Sequence, residues 1–356
     1  MPSATARPAL AAALLTTGLL GVGWGAAASP AGAAGGDFQL LDARVAESSG
    51  LALSRRHPHT VWTTNDSGDS ARLFAVDTRT GRTTGVHQYG APVRDVEALA
   101  ITPQGRVLVG DLGDNTTSRS VVRVFWFDEP DLGDTAGGWA SWELEYPDGP
   151  HDAESLAVDP RSGRVYVVTK GASGAVYALP RVPSRRGVNR LVRVATAPAV
   201  ATDAVYLADG SALLVRTYTQ VVRLDATTFD EVGSAFLPLQ RQGETIALAP
   251  GGSRLLVGSE GVRSSVRVVD VPSALAAPTT RATAPATGTV TSPPAATSTA
   301  PPTAASATTA PSTSARPGSP PVSARQVVWG ASASVGLVAF ALLSTWLARR
   351  AAGGHR

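Results

Sequence analysis

A short acid-led segment returns along this chain, and the repeat constrains the fold more than any other feature. Arg94-Asp-Val-Glu-Ala-Leu-Ala-Ile101 is matched by Ala46-Glu-Ser-Ser-Gly-Leu-Ala-Leu53, His151-Asp-Ala-Glu-Ser-Leu-Ala-Val158, Thr202-Asp-Ala-Val-Tyr-Leu-Ala208 and Gly243-Glu-Thr-Ile-Ala-Leu248. Each copy predicts a short strand that begins with carboxylates and ends in small apolar residues. The copies recur about every 40 to 57 residues, a period typical of repeated β-units.

Every copy continues into further apolar strands. Second strands are predicted at 60–63, 106–109, 164–168, 212–215 and 254–257, and third strands at 72–77, 122–128, 175–179, 221–225 and 266–270. Four copies add a fourth strand, for example Ser141–Tyr146 and Arg190–Val194, whereas the fifth copy stops after Asp270. An additional strand, Phe38–Val45, precedes the first copy.

This arrangement predicts an all-β fold, a β-propeller of five four-stranded blades. The N-terminal strand would complete the last blade, which closes the ring and removes unpaired sheet edges. A six-bladed ring is the alternative if the insert between Glu129 and Trp139 contains extra strands.

Two segments carry a resemblance to a known group. Asp152-Ala-Glu-Ser-Leu-Ala-Val-Asp-Pro-Arg-Ser-Gly-Arg-Val-Tyr166 and Trp62-Thr-Thr-Asn-Asp-Ser-Gly-Asp69 resemble secreted bacterial β-propellers of the WD-repeat-like and phytase-like esterase type. The resemblance covers about residues 38 to 271. It implies the fold more strongly than the activity, because such propellers include binding scaffolds, lactonases and phosphatases. Hydrolases among them use a metal-activated water together with carboxylates.

The two ends of the chain predict export and a membrane tether. Residues 1–34 read as a signal peptide, 37–272 as the propeller, 273–325 as a disordered linker of Ala, Pro, Thr and Ser, 327–348 as a transmembrane helix and 349–356 as a basic cytoplasmic tail. The 22 uncharged residues from Val327 to Ala348 would span about 33 Å as a helix. Arginines after this run predict a single-pass protein of the cell membrane, with the propeller outside.

Charge and composition exclude several functions. Residues 37–272 hold 24 Arg and Lys side chains against 28 Asp and Glu, a formal charge of −4, so the sequence does not predict a nucleic-acid partner. The absence of Cys excludes disulfides, thiolate metal sites and Cys nucleophiles. Thirty Arg against one Lys indicates GC-rich coding, typical of actinobacteria.

The repeated acids should gather on one face of the ring, because the start of each first strand and the end of each second strand lie at the same end of a blade. The predicted ligand-binding face comprises Glu47, Asp95, Glu97, Asp152, Glu154, Asp203, Glu244 and Glu260. A structural alternative is that these carboxylates accept backbone N–H groups and hold neighbouring blades together.

Two Gly-containing loops after second strands suggest a hard cation, Ca²⁺ being the best match for carboxylate and carbonyl oxygens. Its candidate ligands are Asp66, Asp69, Asp111, Asp114 and Asn115. Ordinary turns are the alternative for these loops.

Catalytic residues are harder to name. The chain has no G-x-S-x-G nucleophile motif, and the weak candidates are His151, beside the acids, and Lys170, which would meet an anion or neutralise Glu154. We therefore keep two hypotheses: a tethered propeller that binds an extracellular ligand or protein through an acidic face, and a metal-dependent esterase, lactonase or phosphatase that uses the same face.

Overall fold

Residues 36–276 are the part of the chain that the computed structural model describes, and nearly all of their regular structure is strand. Short runs rich in Val, Leu and Tyr, separated by Gly, Asp and Pro turns, form five sheets, each with four antiparallel strands. Helical structure in this segment is one three-residue 3₁₀ turn, Ser273–Leu275. The predicted all-β fold is confirmed.

Each sheet is one blade whose strands run outward in chain order, except that the outermost strand of blade 5 is the first strand of the chain. The innermost strands of blades 1 to 5 are β2 (Ser48–Leu53), β6 (Val96–Ile101), β11 (Ala153–Val158), β16 (Ala201–Tyr206) and β20 (Gly243–Leu248). The second strands are β3 (Thr60–Asn65), β7 (Arg106–Asp111), β12 (Val165–Thr169), β17 (Ala212–Thr217) and β21 (Arg254–Ser259). The third strands are β4 (Arg72–Asp77), β8 (Val122–Asp128), β13 (Gly174–Ala178), β18 (Gln220–Asp225) and β22 (Ser265–Asp270). The outer strands are β5 (Thr83–Gln88), β10 (Ala140–Glu145), β15 (Val192–Ala197), β19 (Glu231–Phe236) and, for blade 5, β1 (Phe38–Gln39).

The five blades close into a ring. Each inner strand contacts the inner strands of the preceding and following blades, and β20 of blade 5 contacts β2 of blade 1. Five clusters of buried apolar side chains lie between successive blades. The cluster between blades 5 and 1 contains Leu40, Val61 and Leu256. A five-bladed propeller is therefore confirmed, and its core is distributed among the blade interfaces.

The N-terminal strand closes the last blade as predicted, but it is shorter than expected. Only Phe38 and Gln39 pair with β22, in antiparallel register. Asp37 reinforces the closure, because its carboxylate accepts the backbone N–H of Val268 at 2.8 Å and pairs with Arg267 at 2.7 Å. From residue 40 onward the chain turns, and the backbone N–H of Val45 donates to the carbonyl of Asp42.

The insert after Glu129 does not form a sixth blade. Its two-residue strand β9 (Thr135–Ala136) adds in parallel to the outer strand of blade 1. Glu129 itself is buried and accepts hydrogen bonds from the indole of Trp62 at 2.8 Å and from the backbone N–H of Arg55 at 3.0 Å. The insert therefore links blade 2 to blade 1.

The predicted fourth strand at Arg190–Val194 is wrong in detail, because the segment divides between two blades. Strand β14 (Val188–Arg190) pairs in parallel with β10 of blade 2, and β15 then forms the outer strand of blade 3. Asn189 fixes the crossing, since its side-chain amide donates to the carbonyls of Glu143 and Ser184. Alternating hydrophobicity cannot reveal a parallel pairing to a neighbouring blade.

The predicted signal peptide, nearly all of the linker, the transmembrane helix and the basic tail lie outside the described residues 36–276. Within that segment no helix is long and apolar enough to span a bilayer.

Candidate functional site

A β-bulge opens the inner strand of every blade. The residues that fall out of register with the second strand are Ser49, Glu97, Glu154, Thr202 and, in blade 5, Glu244 with Thr245. A bulge residue leaves the regular pleat, so its side chain takes a new direction. The hydroxyl of Ser49 in blade 1 donates to Glu97 Oε2 in blade 2 at 2.7 Å. The five inner strands surround a central channel. The bulges thus bring side chains of different blades together at one end of this channel.

The bulge register changes the positions of two predicted face residues. Glu47 lies two residues before the bulge of blade 1 and is exposed. Asp203 follows the bulge of blade 4, is buried, and accepts the backbone N–H of Ile246 in blade 5 at 2.7 Å and that of Ala204 at 2.8 Å. Burial raises the pKa of Asp203 well above its usual range. Asp203 therefore holds blades 4 and 5 together, which is the structural alternative stated for these acids.

Three carboxylates, here called the acid trio, converge where blades 1 and 2 meet. Asp66 follows the second strand of blade 1, and Asp95 and Glu97 flank the start of the inner strand of blade 2. One oxygen from each carboxylate lies within 4.8 Å of the other two. Asp66 and Asp95 are half-buried and Glu97 is buried. Oxygens at this spacing can share one hard cation.

Two members of the acid trio, Asp95 and Glu97, retain protons at unusually high pH. Burial, followed by the charges of Asp66 and Asp152, raises the pKa of Asp95 to about 6. Burial, followed by the charges of Glu154 and Asp66, raises the pKa of Glu97 well above its usual range. Both shifts mean that ionising Asp95 and Glu97 without a nearby cation is unfavourable.

Gly113 occupies the position in blade 2 that Lys170 occupies in blade 3. The backbone N–H of Gly113 donates to the carbonyl of Asp95 at 3.1 Å, as that of Lys170 donates to Asp152 at 2.9 Å. A Cβ at residue 113 would lie 2.5 Å from Cγ of Asp95 and 2.9 Å from Cγ of Glu97. The missing side chain is therefore what allows the two acids to approach this point.

Asp111, a predicted metal ligand, supports the trio instead of joining it. Its carboxylate accepts the backbone N–H groups of Asp95 at 2.7 Å and Arg94 at 3.2 Å. Arg119 completes its contacts with an ion pair of 2.9 Å, in which both side chains are buried. The Asp111 oxygens are therefore occupied, and they fix the peptide that carries Asp95.

The other loop acids also have structural partners. Asp69 accepts hydrogen bonds from Asn65 at 2.7 Å and pairs with Arg72 at 2.7 Å. Asp114 accepts the backbone N–H of Arg119 at 2.7 Å, and its own N–H donates to Asp152 of blade 3 at 2.8 Å. Asn115 is exposed. Of the five predicted metal ligands, only Asp66 belongs to the acid trio.

Blade 3 balances its bulge acid with the one lysine of the chain. Lys170 forms an ion pair with Glu154, and its ammonium lies 5.6 Å from the ring centroid of Tyr218 in blade 4. Burial alone would lower the pKa of Lys170, but the charges of Glu154 and Glu244 raise it above its usual value. The alternative that Lys170 neutralises Glu154 matches this geometry.

Two acids of blade 5 complete the acidic end. Burial, followed by the charges of Glu244 and Asp66, raises the pKa of Glu260 to about 8. Glu244 is 5% exposed, and its Oε2 atom has no hydrogen-bond partner. Burial also raises the pKa of Glu244, while Lys170 lowers it. This end of the channel thus combines a lysine-paired side with an unpaired acidic side.

His151 lies in a separate polar cluster. Its Nε2 atom is 3.0 Å from Asp148 Oδ1 and 2.9 Å from the hydroxyl of Tyr177, and its ring packs edge-on against Tyr146. Asp148 also accepts the Tyr177 hydroxyl at 2.9 Å. These contacts orient His151 toward Asp148 and Tyr177, residues outside the acid trio.

Sequence reasoning missed three residues at this end of the channel. Ser49 aligns with Glu97 once Leu51 is aligned with Leu99, so the repeat itself contained that signal. Tyr218 and Gly113 follow second strands, where the copies differ most, and no local pattern identifies them.

Comparison with known proteins identifies no family for this chain. The chain is similar to the solved structure of a luciferin-regenerating enzyme, with a TM-score of 0.41 and 11% sequence identity over 64% of this chain and 78% of that one. No protein-family model and no curated protein matches the chain.

Proposed function

We propose that the acidic end of the channel binds a divalent cation, Ca²⁺, and through it an extracellular ligand or protein partner. The observation that carries this proposal is the acid trio, in which three carboxylate oxygens from two blades lie within 4.8 Å of one another. Ca²⁺ takes six to eight oxygen ligands. Three carboxylates would therefore leave coordination positions for oxygens of a ligand.

The charge balance supports the same proposal. Lys170 is near Glu154 and Glu244, whereas the acid trio has Gly113 at the equivalent position. The unpartnered Oε2 atom of Glu244 is a second buried oxygen at the same end. A divalent cation would offset the burial and the neighbouring negative charges that raise the pKa values of Asp95 and Glu97.

Calcium titration of the full chain in lipid nanodiscs tests this proposal. We expect Ca²⁺ to raise the melting temperature by about 5 °C or more when it saturates the site, and EDTA to reverse the change. Asp66→Asn should abolish the response, and Asp69→Asn, in the same loop but outside the trio, should retain it. A melting temperature that is the same in Ca²⁺ and in EDTA would contradict the proposal.

The tether belongs to this proposal. The predicted signal peptide (1–34), linker (273–325) and transmembrane helix (327–348) would hold the propeller outside the cell, away from the bilayer. Protease treatment of intact cells should release the propeller into the medium, while a C-terminal tag stays in the membrane pellet after carbonate extraction. Recovery of the tag in the soluble fraction would contradict the tether without affecting the metal site.

A metal-dependent hydrolase is the second candidate, and Glu260 is the observation that favours it. A carboxyl group with a pKa of about 8, close to Glu244 and Asp66, can donate or accept a proton near neutral pH. A bound divalent cation would polarise an ester, lactone or phosphate oxygen. Turnover of such substrates in Ca²⁺, lost in Glu260→Gln, would favour the enzyme, and calcium binding with no turnover on the whole panel would favour the binding protein.

A further inference from the structure

We propose that the opposite end of the channel binds a small apolar carboxylate, with its hydrocarbon chain in the channel and its carboxylate at Arg55. This site is separate from the acidic end and does not depend on a cation. It rests on a cavity, on the residues that line it, and on one charged side chain at its edge.

The cavity has a volume of about 440 Å³ and lies where the inner strands end. Ligand pockets for small molecules usually measure about 300 to 1,000 Å³ and are mostly apolar, with few polar groups. Its wall includes Leu53, Val158, Val205 and Leu248 from four different blades, and each of these side chains is only partly buried. The space is therefore large enough for a ligand and offers it an apolar wall.

Small residues explain why this part of the channel is open. The residue three positions after the first bulge residue of each inner strand is alanine in four blades and valine in blade 4. These residues are Ala52, Ala100, Ala157, Val205 and Ala247. Because all five line the cavity at the same level, their short side chains leave a gap that longer side chains would fill.

Arg55 provides a charged group at the edge of the cavity. It is the charged residue among the described side chains that line this space, and it belongs to the loop between β2 and β3 at the mouth. Its backbone N–H donates to Glu129, which anchors the loop, and its side chain is exposed. An arginine beside an apolar cavity matches a ligand with a carboxylate at one end and hydrocarbon at the other.

Binding of straight-chain carboxylates to the full chain in nanodiscs tests the proposal by calorimetry, with empty nanodiscs as the blank. We expect hexanoate, octanoate and decanoate to bind with affinity that rises about fourfold for each added methylene, until the cavity is full. Octanoate should bind at least tenfold more tightly than octanol. Carboxylates that give no more heat with the protein than with empty nanodiscs would overturn the proposal.

Two substitutions locate the site. Arg55→Gln should weaken octanoate binding at least tenfold and leave octanol binding unchanged. Arg56→Gln is the matched control, because the Arg56 side chain instead contacts Asp131 and the carbonyl of Glu129, and it should bind octanoate as the unaltered chain does. Ala100→Leu should reduce the affinity for both ligands by filling space. Equal octanoate affinity in Arg55→Gln and Arg56→Gln would overturn the assignment of the carboxylate.

Discussion

Blades 2 and 3 present the same acid at the same bulge and balance it in opposite ways. Glu154 of blade 3 pairs with Lys170, whereas Glu97 of blade 2 faces Asp66 and Asp95, with Gly113 in place of a lysine. Burial raises the pKa of both bulge glutamates. The residue after the second strand therefore decides whether the bulge glutamate has a lysine partner within the protein.

Removing the internal cation should have the largest effect. We expect Lys170→Met to lower the free energy of unfolding by about 3 kcal/mol at pH 8, because Glu154 would be left buried without its partner. Urea unfolding of the full chain, followed by tryptophan fluorescence, measures the change. Arg56→Met removes an exposed cation and should cost less than about 1 kcal/mol. Equal losses in the two variants would mean that blade 3 is not balanced by its lysine.

Neutralising Glu97 of blade 2 should change the free energy of unfolding in the opposite direction. Glu97→Gln removes a carboxyl group whose ionised form is disfavoured by burial and by neighbouring acids, so we expect it to stabilise the calcium-free protein at a pH that ionises Glu97. It should also eliminate the stabilisation by Ca²⁺, which is about 2.7 kcal/mol at 100 times the dissociation constant. Melting curves with and without Ca²⁺ measure both effects, and Glu145→Gln, an exposed position in the same blade, is the control. A calcium response in Glu97→Gln equal to that of the control would count against the trio.

A lysine at residue 113 would convert blade 2 into a copy of blade 3 and test whether this position controls calcium binding. Gly113→Lys would place an ammonium group beside Asp95 and Glu97, and both acid side chains would have to shift, because the new Cβ would lie 2.5 Å from Cγ of Asp95 and 2.9 Å from Cγ of Glu97. We expect loss of calcium binding with a change in calcium-free stability of only about 1 kcal/mol, since the gained ion pairing offsets the displacement. Gly138→Lys has open space around it and should bind calcium normally. Calorimetry with Ca²⁺ distinguishes the two, and retained binding in Gly113→Lys would refute the equivalence.

The pH dependence should be the most gradual effect, because it is spread over several pH units. The pKa values of Asp95, about 6, and Glu260, about 8, lie above those of unfolded carboxyl groups. The folded state therefore holds more protons between about pH 4.5 and 8, so the calcium-free protein should lose stability as the pH rises through this window, by at most about 1.4 kcal/mol per pH unit for each proton. Stabilisation by Ca²⁺ should be greatest near pH 8, where protons compete least. Urea midpoints from pH 5 to 8.5 that rise with pH would contradict this sign.

The repeat made the ring predictable, because period and alternation specify which segments form strands and in what order. The five inner strands, the closing role of Phe38 and the gathering of acids at one end all follow from that pattern. The pattern did not predict how short the closing strand is, or that the chain crosses from blade 2 to blade 3 at Asn189. Both features depend on side-chain contacts between blades.

The individual roles of the acids were not readable from the sequence. Glu154 is itself the bulge residue of blade 3 and faces the other acids. Asp203 lies one position after the bulge residue of blade 4 and binds the backbone of the next blade. Likewise, Asp66 and Asp111 were both predicted as metal ligands from their Gly-containing loops. Arg119 forms an ion pair with Asp111 and not with Asp66. These outcomes depend on loop geometry, which residue type and spacing do not determine.

The closure of blade 5 has a consequence for how the molecule is made. Asp37 and Arg267 are 230 positions apart, so the ring contains a contact that can form only after the whole domain has emerged during synthesis. Bringing such distant segments together is entropically demanding, which makes this docking event the expected final stage of folding. Until then blade 5 lacks its outermost strand, and the third strand of that blade is an exposed edge through which newly made chains could pair with one another.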